Sequence, residues 1–170
     1  MLHVPVLLEE SLGFLLHDLS GTYLDLTFGR GSHSQELLNR ISPQGRLHAV
    51  DRDPEAVSFG KENITDSRFS IYHSNYSEID SLFPRQKFDG VLLDLGTCST
   101  HLDNPKRGFS FQSNGPLDMR MDTSTGFSAA EWLNSASEKE ISDILYQYSD
   151  ERASRKIARA IVEFRVTKPM

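Results

Sequence analysis

The sequence predicts an α/β fold built on a parallel sheet, and three observations predict it. Short apolar runs alternate with amphipathic segments through the first hundred or so residues, as βαβ units do. The first run, "TYLDLTFG", leads into a glycine turn at Gly29 and Gly31. The second run, "GRLHAVD", ends in an acid, Asp51.

Taken in order, segment 6–18 has apolar residues at helical spacing and predicts a helix. "TYLDLTFG" predicts a short buried strand that stops at Gly29. "HSQELLNRI" predicts a helix, with Ser32 as N-cap because Ser32 and Gln35 have capping-box spacing. "GRLHAVD" predicts a second strand and "DPEAVSFGKEN" a second helix, with Asp53 capping it before Pro54. "RFSIYHSN", "YSEIDSLF" and "FDGVLLDLG" predict strand, short helix and strand. Four strands are few for a doubly wound sheet, and "VLLDL" is left with an unpaired apolar edge.

After Gly96 the pattern changes. Residues 96–126 form a long irregular segment, too long for an ordinary connection. "SAAEWLN" and "SEKEISDILYQY" then predict helices, each opening with an S-x-x-E capping box at Ser128/Glu131 and Ser137/Glu140. A last helix from about Glu151 is expected to bury Ala153, Ile157, Ala160, Ile161 and Phe164, with Arg152, Arg155, Lys156 and Arg159 largely on the other side. The chain thus divides into an α/β part, 1–126, and a helical part, 127–170.

Composition excludes several classes. With 38% hydrophobic and 25% charged residues, the chain reads as globular, and no apolar run is long enough to cross a membrane. "VPVLLEESLGFLL" is interrupted by Glu9 and Glu10 where a signal peptide is apolar. The single cysteine, Cys98, excludes an internal disulfide and fits a reducing compartment, so a cytoplasmic location is expected. Cys98 and His101 lie close in sequence, but no second cysteine or paired histidine completes a ligand set, and His3, His33, His48 and His73 are scattered; no metal site is expected. The formal net charge of −6 argues against nucleic-acid binding through bulk positive charge. The final stretch "ERASRKIARAIVEFRVTK" is nonetheless basic, either as a solvated helix face or as one place to meet a polyanion.

Three constellations carry chemistry. In an open α/β sheet, ligands bind beyond the carboxyl ends of the strands. A glycine turn there, as in "DLTFGRGSHS", brings backbone N–H groups close to a ligand, although any strand-to-helix turn can use glycines. Ser34 stands where the third Gly or Ala of a dinucleotide fingerprint belongs. Asp51, about twenty residues past Gly31, has the position of an acid that accepts ribose hydroxyls. Tyr76, after the third strand, could flank an adenine or simply pack in the core. Asp94, ending the fourth strand, could bind a cationic or amino group. Glycine turn and acid together point to a nucleoside-bearing cofactor.

These residues in this order resemble one family: the bacterial small-subunit ribosomal RNA cytidine N4-methyltransferases (RsmH, also called MraW). The stretches that carry the resemblance are "HVPVLLEE", "TFGRGSHS", "VDRDPEAV", "LLDLG", "LDNPKRGFSFQSNGPLDMRMD", "SAAEWLN" and "ERASRKIARAIV", running from His3 almost to the last residue. The resemblance implies S-adenosyl-L-methionine as cofactor, a Rossmann-like class I methyltransferase domain with a helical domain inserted after the fourth strand, and methyl transfer to N4 of a decoding-centre cytidine in 16S rRNA. By motif it places cofactor contacts on Gly29, Gly31, Ser32, His33, Asp51, Tyr76, Asp94 and His101. Asp94 is the candidate for holding the amino hydrogens of the target base as it is attacked. For the RNA, which must present an unstacked base, Phe109 and Phe111 are candidates for stacking, and Arg107 and Arg120 for phosphates. The alternative is that the phenylalanines plug the crevice floor and Arg120 pairs with Asp118 or Asp122.

Some positions depart from the family pattern. Ser32 replaces a second consecutive glycine, "DLGTCSTHLD" carries His101 in place of a glutamine and Thr100 in place of a proline, and Tyr76 replaces a common phenylalanine. The family also continues through later strands that this sequence does not contain. A fragment, a truncation, or a paralogue without its second half is therefore expected, acting as a homodimer, by pairing with a C-terminal half, or as a non-catalytic cofactor- or RNA-binding remnant. A nicotinamide oxidoreductase using the same turn and Asp51 is a rival reading, against which the third position of the fingerprint counts. With no Arg-rich leader before His3, the bacterial cytoplasm is the expected compartment.

Overall fold

A computed structural model describes residues 5–170; His3, where the resemblance begins, lies outside them. Four strands, β1 (Thr22–Asp25), β2 (Arg46–Asp51), β3 (Phe69–His73) and β4 (Gly90–Leu92), form one parallel sheet in the order β3-β2-β1-β4. The helices α1 (Leu8–Leu15), α2 (Ser32–Arg40), α3 (Pro54–Asn63) and the short α4 (Ile79–Leu82) alternate with them. The expected α/β, Rossmann-like arrangement is therefore present, with every strand's carboxyl end on the same edge of the sheet.

Side chains of β1 and β2 alternate between two buried faces, as a parallel sheet covered on both sides requires. Tyr23, Leu47 and Ala49 join Leu12, Leu37, Leu38 and Ile41 on one face. Leu24, Leu26 and Val50 join Phe83 on the other, with Tyr72, Ile79 and Phe88 packed against them. Helix α2 ends where Arg68 reaches across from the start of β3, donating to the carbonyls of Leu38 and Ile41, both at 2.8 Å. That guanidinium is fixed in turn by Asp66. The helix thus gains a cationic partner for its last carbonyls without a C-terminal glycine.

Strand β4 is shorter than the sequence predicts. Among the described residues it pairs with β1 alone, and only three residues keep the ladder. Val91 within it, and Leu93 and Leu95 beyond it, remain exposed.

The chain forms two compact units, Met1–Cys98 with Met121–Ser124, and Ser99–Arg120 with Thr125–Met170. The second holds α5 (Ser99–Asp103), α6 (Ala129–Ser135), α7 (Glu138–Ser149) and α8 (Ser154–Thr167). Both expected capping boxes form, with Ser128 and Ser137 each accepting from the N3 backbone and Glu131 and Glu140 each reaching back. The face of α8 is rotated from the expected one. Ser154, Ala158, Ile161 and Val162 face the unit's core, whereas Ala153, Ala160 and Phe164 are exposed. The rotation follows from Arg165, which lies on the inner side and donates to the carbonyls of Leu133 and Ala136, closing the end of α6.

Candidate cofactor site

The loop after β1 is pinned from both neighbours. Leu26 N donates to Leu92 O at 3.0 Å and Phe28 N to Val50 O at 3.3 Å, so the loop enters the gap between β4 and β2. Asp94 N donates to Thr27 Oγ1 at 2.7 Å, fastening the end of β4 to the same loop. Gly29 and Gly31 take φ of +55° and +74°, the left-handed region that glycine enters without penalty. At Gly31 space forbids anything larger, because a Cβ would stand 2.6 Å from the Phe28 ring.

Asp51 is the anchor of this turn. Its Oδ2 accepts from Gly29 N at 2.7 Å and its Oδ1 from Asp53 N at 2.8 Å. A carboxylate offers about four acceptor positions, so these two bonds do not by themselves exhaust it. Asp53 caps α3 through Glu55 N, as expected, with Pro54 in the first turn.

Ser32 does not cap α2. Gly31 is the N-cap, its carbonyl accepting from Gln35 N at 2.8 Å, and Ser32 is already helical. The left-handed glycine moves the helix start one residue toward the N-terminus, which takes the Ser32 hydroxyl out of reach of the third helical N–H. That hydroxyl makes no hydrogen bond among the described residues. His33 Nε2 lies 3.2 Å from the carbonyl of Val6, which ties the segment before α1 to the turn when that nitrogen carries the proton.

Two residues that the sequence reading did not assign to the cofactor site belong here. Asp25, at the end of β1, is almost fully buried, and Ser34 Oγ donates to its Oδ2 at 2.7 Å. Burial raises the Asp25 carboxyl above its ordinary value, against the Ser34 and Thr27 bonds that lower it. The signal was available, since Asp25 ends its strand just as Asp51 does. Cys98 is the other, its Sγ 3.7 Å from where a Gly29 Cβ would stand.

Tyr76 follows β3 in a 3-10 turn (Tyr76–Glu78) and is 45% exposed. Asp94 is exposed beyond β4. Gly29, Gly31, Ser32, His33, Asp51, Tyr76 and Asp94 thus all lie at or beyond the carboxyl ends of strands in the first unit. His101, in the second unit, is buried on α5 with its ring 5.3 Å from that of Phe109.

The four candidates for RNA contact differ. Phe111 is 97% exposed. Arg107 is buried, donating from Nη2 to Arg120 O at 3.1 Å. Arg120 pairs with Asp118 at 2.7 Å, the pairing that the alternative reading of this residue expects. Among the described residues, no group of three or more His, Cys, Asp or Glu could hold a metal ion, and no helix is long and apolar enough to cross a membrane.

The model of one family, the MraW methylase family, matches residues 1–170. The chain belongs to this family. Among curated relatives, a protein named Ribosomal RNA small subunit methyltransferase H, from Ruthia magnifica subsp. Calyptogena magnifica, is 46% identical over 166 residues, covering 95% of this chain and 54% of that protein. A protein of the same name from Xylella fastidiosa (strain M23) is 48% identical over 171 residues, covering 100% of this chain and 55% of that protein. The chain spans about half the length of the curated relatives it matches. Of solved structures, a SAM dependent methyltransferase from Aquifex aeolicus aligns over 40% of this chain and 38% of that one, with 21% identity and a TM-score of 0.37.

Proposed function

We propose that the chain supplies the cofactor-binding part, 1–126, and the start of a helical insertion, 127–170, of an S-adenosyl-L-methionine-dependent methyltransferase. Its substrate is 16S rRNA in the small ribosomal subunit, and its target the exocyclic N4 of a decoding-centre cytidine. The observation that carries this reading is the MraW methylase match along the whole chain. The compartment in this reading is the cytoplasm.

The residues fit the cofactor. Asp51 ends β2 and Asp94 lies just beyond β4, and a ligand with a sulfonium and an ammonium suits such acids. Asp51 takes the ribose hydroxyls while holding Gly29, Tyr76 flanks the adenine, and Gly31, Ser32 and His33 meet the methionine moiety, with His101 as a further contact. Bound there, the cofactor supplies an electrophilic methyl group. Asp94 then holds the amino hydrogens of the target base, turning the nitrogen lone pair toward attack, so that positioning supplies much of the rate. Phe111, almost wholly exposed, receives the unstacked base; Phe109 lines its approach, and Arg107 and Arg120 hold the loop that presents it.

A second reading is favoured by the open β4 edge with Val91, Leu93 and Leu95 exposed. In it the chain binds cofactor or RNA without turnover until another segment, or a second copy, completes the sheet. The test incubates the chain with S-adenosyl-L-methionine and undermethylated small subunits, alone and coexpressed with the second half of a relative. Appearance of N4-methylcytidine in digested 16S rRNA is the expected result. Methylation at another atom, or none in either preparation, contradicts the proposal.

A further inference from the structure

Helix α8 carries an arrangement that its own stability does not account for. Arg152 precedes the helix, and Arg155 and Lys156 lie in its first turn, with Arg159 one turn on; all four are exposed. Within the helix, spacings of three and four residues put Arg155, Lys156 and Arg159 on one side, and Arg152 lies just before its start. The opposite side, Ser154, Ala158, Ile161 and Val162, faces the unit's core. Among the described residues, Arg152, Arg155 and Lys156 make no ion pair, and Arg159 meets only Glu138, at 3.5 Å.

Cations at a helix N-terminus oppose the helix dipole. Helices α1, α3, α4, α6 and α7 carry acid in the first turn, whereas α2, α5 and α8 carry none. At α8 the acid lies just ahead of the helix, where Glu151 accepts from Ala153 N at 2.7 Å, and two cations, Arg155 and Lys156, occupy the first turn itself. The stripe also stands out from a chain of formal net charge −6. Cations set against the helix dipole, of which Arg159 alone is paired among the described residues, are a departure of the kind that functional surfaces carry. The Tyr148 side chain, 83% exposed in the last turn of α7, lies at the same end of the α7–α8 hairpin.

We propose that Arg152, Arg155, Lys156 and Arg159 form a docking stripe for the phosphate backbone of RNA, a proposal that rests on the rRNA reading above for the source of that RNA. The helical part of the stripe, Arg155 to Arg159, runs for about 6 Å at about 1.5 Å per residue, and Arg152 extends it at the N-terminal end. Its four cations can meet about three to four phosphates of a single strand. It carries no sequence information; it orients the strand while the catalytic unit selects the base.

The test is a fluorescence titration of the chain with a labelled oligouridylate between about 50 and 200 mM salt. Each neutralised phosphate of a single strand contributes a slope of about −0.7 in log affinity against log salt, so a slope of roughly −2 to −3 is expected. The variant R152E/R155E/K156E should weaken binding by roughly tenfold or more at the lowest salt and flatten that slope. These side chains are exposed and unpaired, so its far-UV circular dichroism should match the parent; the milder R155Q/K156Q should give an intermediate slope. The control K61E/K87E, which changes exposed lysines of the other unit, should leave the slope unaltered.

Equal RNA binding by parent and triple variant overturns the stripe, as does an equal loss in the control. Loss of a dimer in the triple variant, with RNA binding unchanged, makes the surface a protein interface and overturns it too. Titration with S-adenosyl-L-methionine in parallel separates the two readings. RNA binding through the stripe without cofactor binding sinks the methyltransferase reading and leaves the stripe. Cofactor binding without RNA binding does the reverse.

Discussion

The Ser34 hydroxyl donates to Asp25 Oδ2 at 2.7 Å, and both residues are shut away from solvent. This bond explains why the third position of the glycine fingerprint is a serine. A glycine there permits close helix–strand packing, whereas here the space holds a hydroxyl that satisfies a buried carboxylate. Ser34→Ala should therefore destabilise the chain by about 1–3 kcal/mol, the cost of leaving a buried acceptor short of a donor. Urea unfolding measures it, and a change within ~0.5 kcal/mol, as for a surface site, would contradict it.

Asp25 also sets a pH dependence. Its carboxyl lies above the ordinary 3.8 because burial outweighs its hydrogen bonds. The folded state therefore holds the proton more tightly than the unfolded chain. That stabilising contribution is complete below 3.8 and is lost as pH rises through the folded-state value. Asp66 acts in the opposite sense, held at about 2 chiefly by Arg68, so its contribution is present above 3.8 and lost as pH falls toward 2. Asp25→Asn keeps an oxygen for Thr27 N and an amide that can donate to Ser34. Relative to this variant, the parent should lose stability as pH rises from about 4 toward neutrality; parallel curves would refute the assignment.

Gly31 is fixed twice over, by a φ of +74° and by the Phe28 ring 2.6 Å from any added Cβ. Gly31→Ala should cost about 1–2 kcal/mol in the backbone and about 1–3 kcal/mol in overpacking. Phe28→Leu added to it should recover part of the second loss and none of the first. Thermal melts of the two variants and the double variant decide this, since simple additivity would mean that ring and glycine are not coupled.

Where a feature depends on neighbours in sequence, it was legible. The strand–helix alternation, the Asp53 cap and the boxes at Ser128/Glu131 and Ser137/Glu140 are satisfied within a few residues. Ser32 and Gln35 have the same spacing, yet no box forms, because the Phe28 ring and the left-handed Gly31 fix the helix start from outside that window. The α8 face turned on Arg165 and the end of α6, thirty residues upstream, which no periodicity records. Asp25 was missed for a similar reason: its donor, Ser34, sits across the turn, and the spacing drew attention to the missing glycine instead.

Phe111, 97% exposed, should contribute nothing measurable to stability. Phe111→Ala should leave unfolding within ~0.5 kcal/mol of the parent while weakening RNA binding by about 1–3 kcal/mol through lost stacking. Cofactor affinity should be unchanged. Equal loss of RNA and cofactor binding would place this side chain in the fold of the site and not on the RNA.

The most direct test of the account is calorimetric titration of the 170-residue chain with S-adenosyl-L-methionine, beside Asp51→Ala. Asp51 holds Gly29 N at 2.7 Å and is assigned the ribose, so its removal loosens the turn and deletes a ligand contact together. The account predicts saturable one-to-one binding by the parent and none by the variant at the same concentrations. No binding by a demonstrably folded parent, or equal binding by the variant, would contradict the assignment of this turn as a cofactor site.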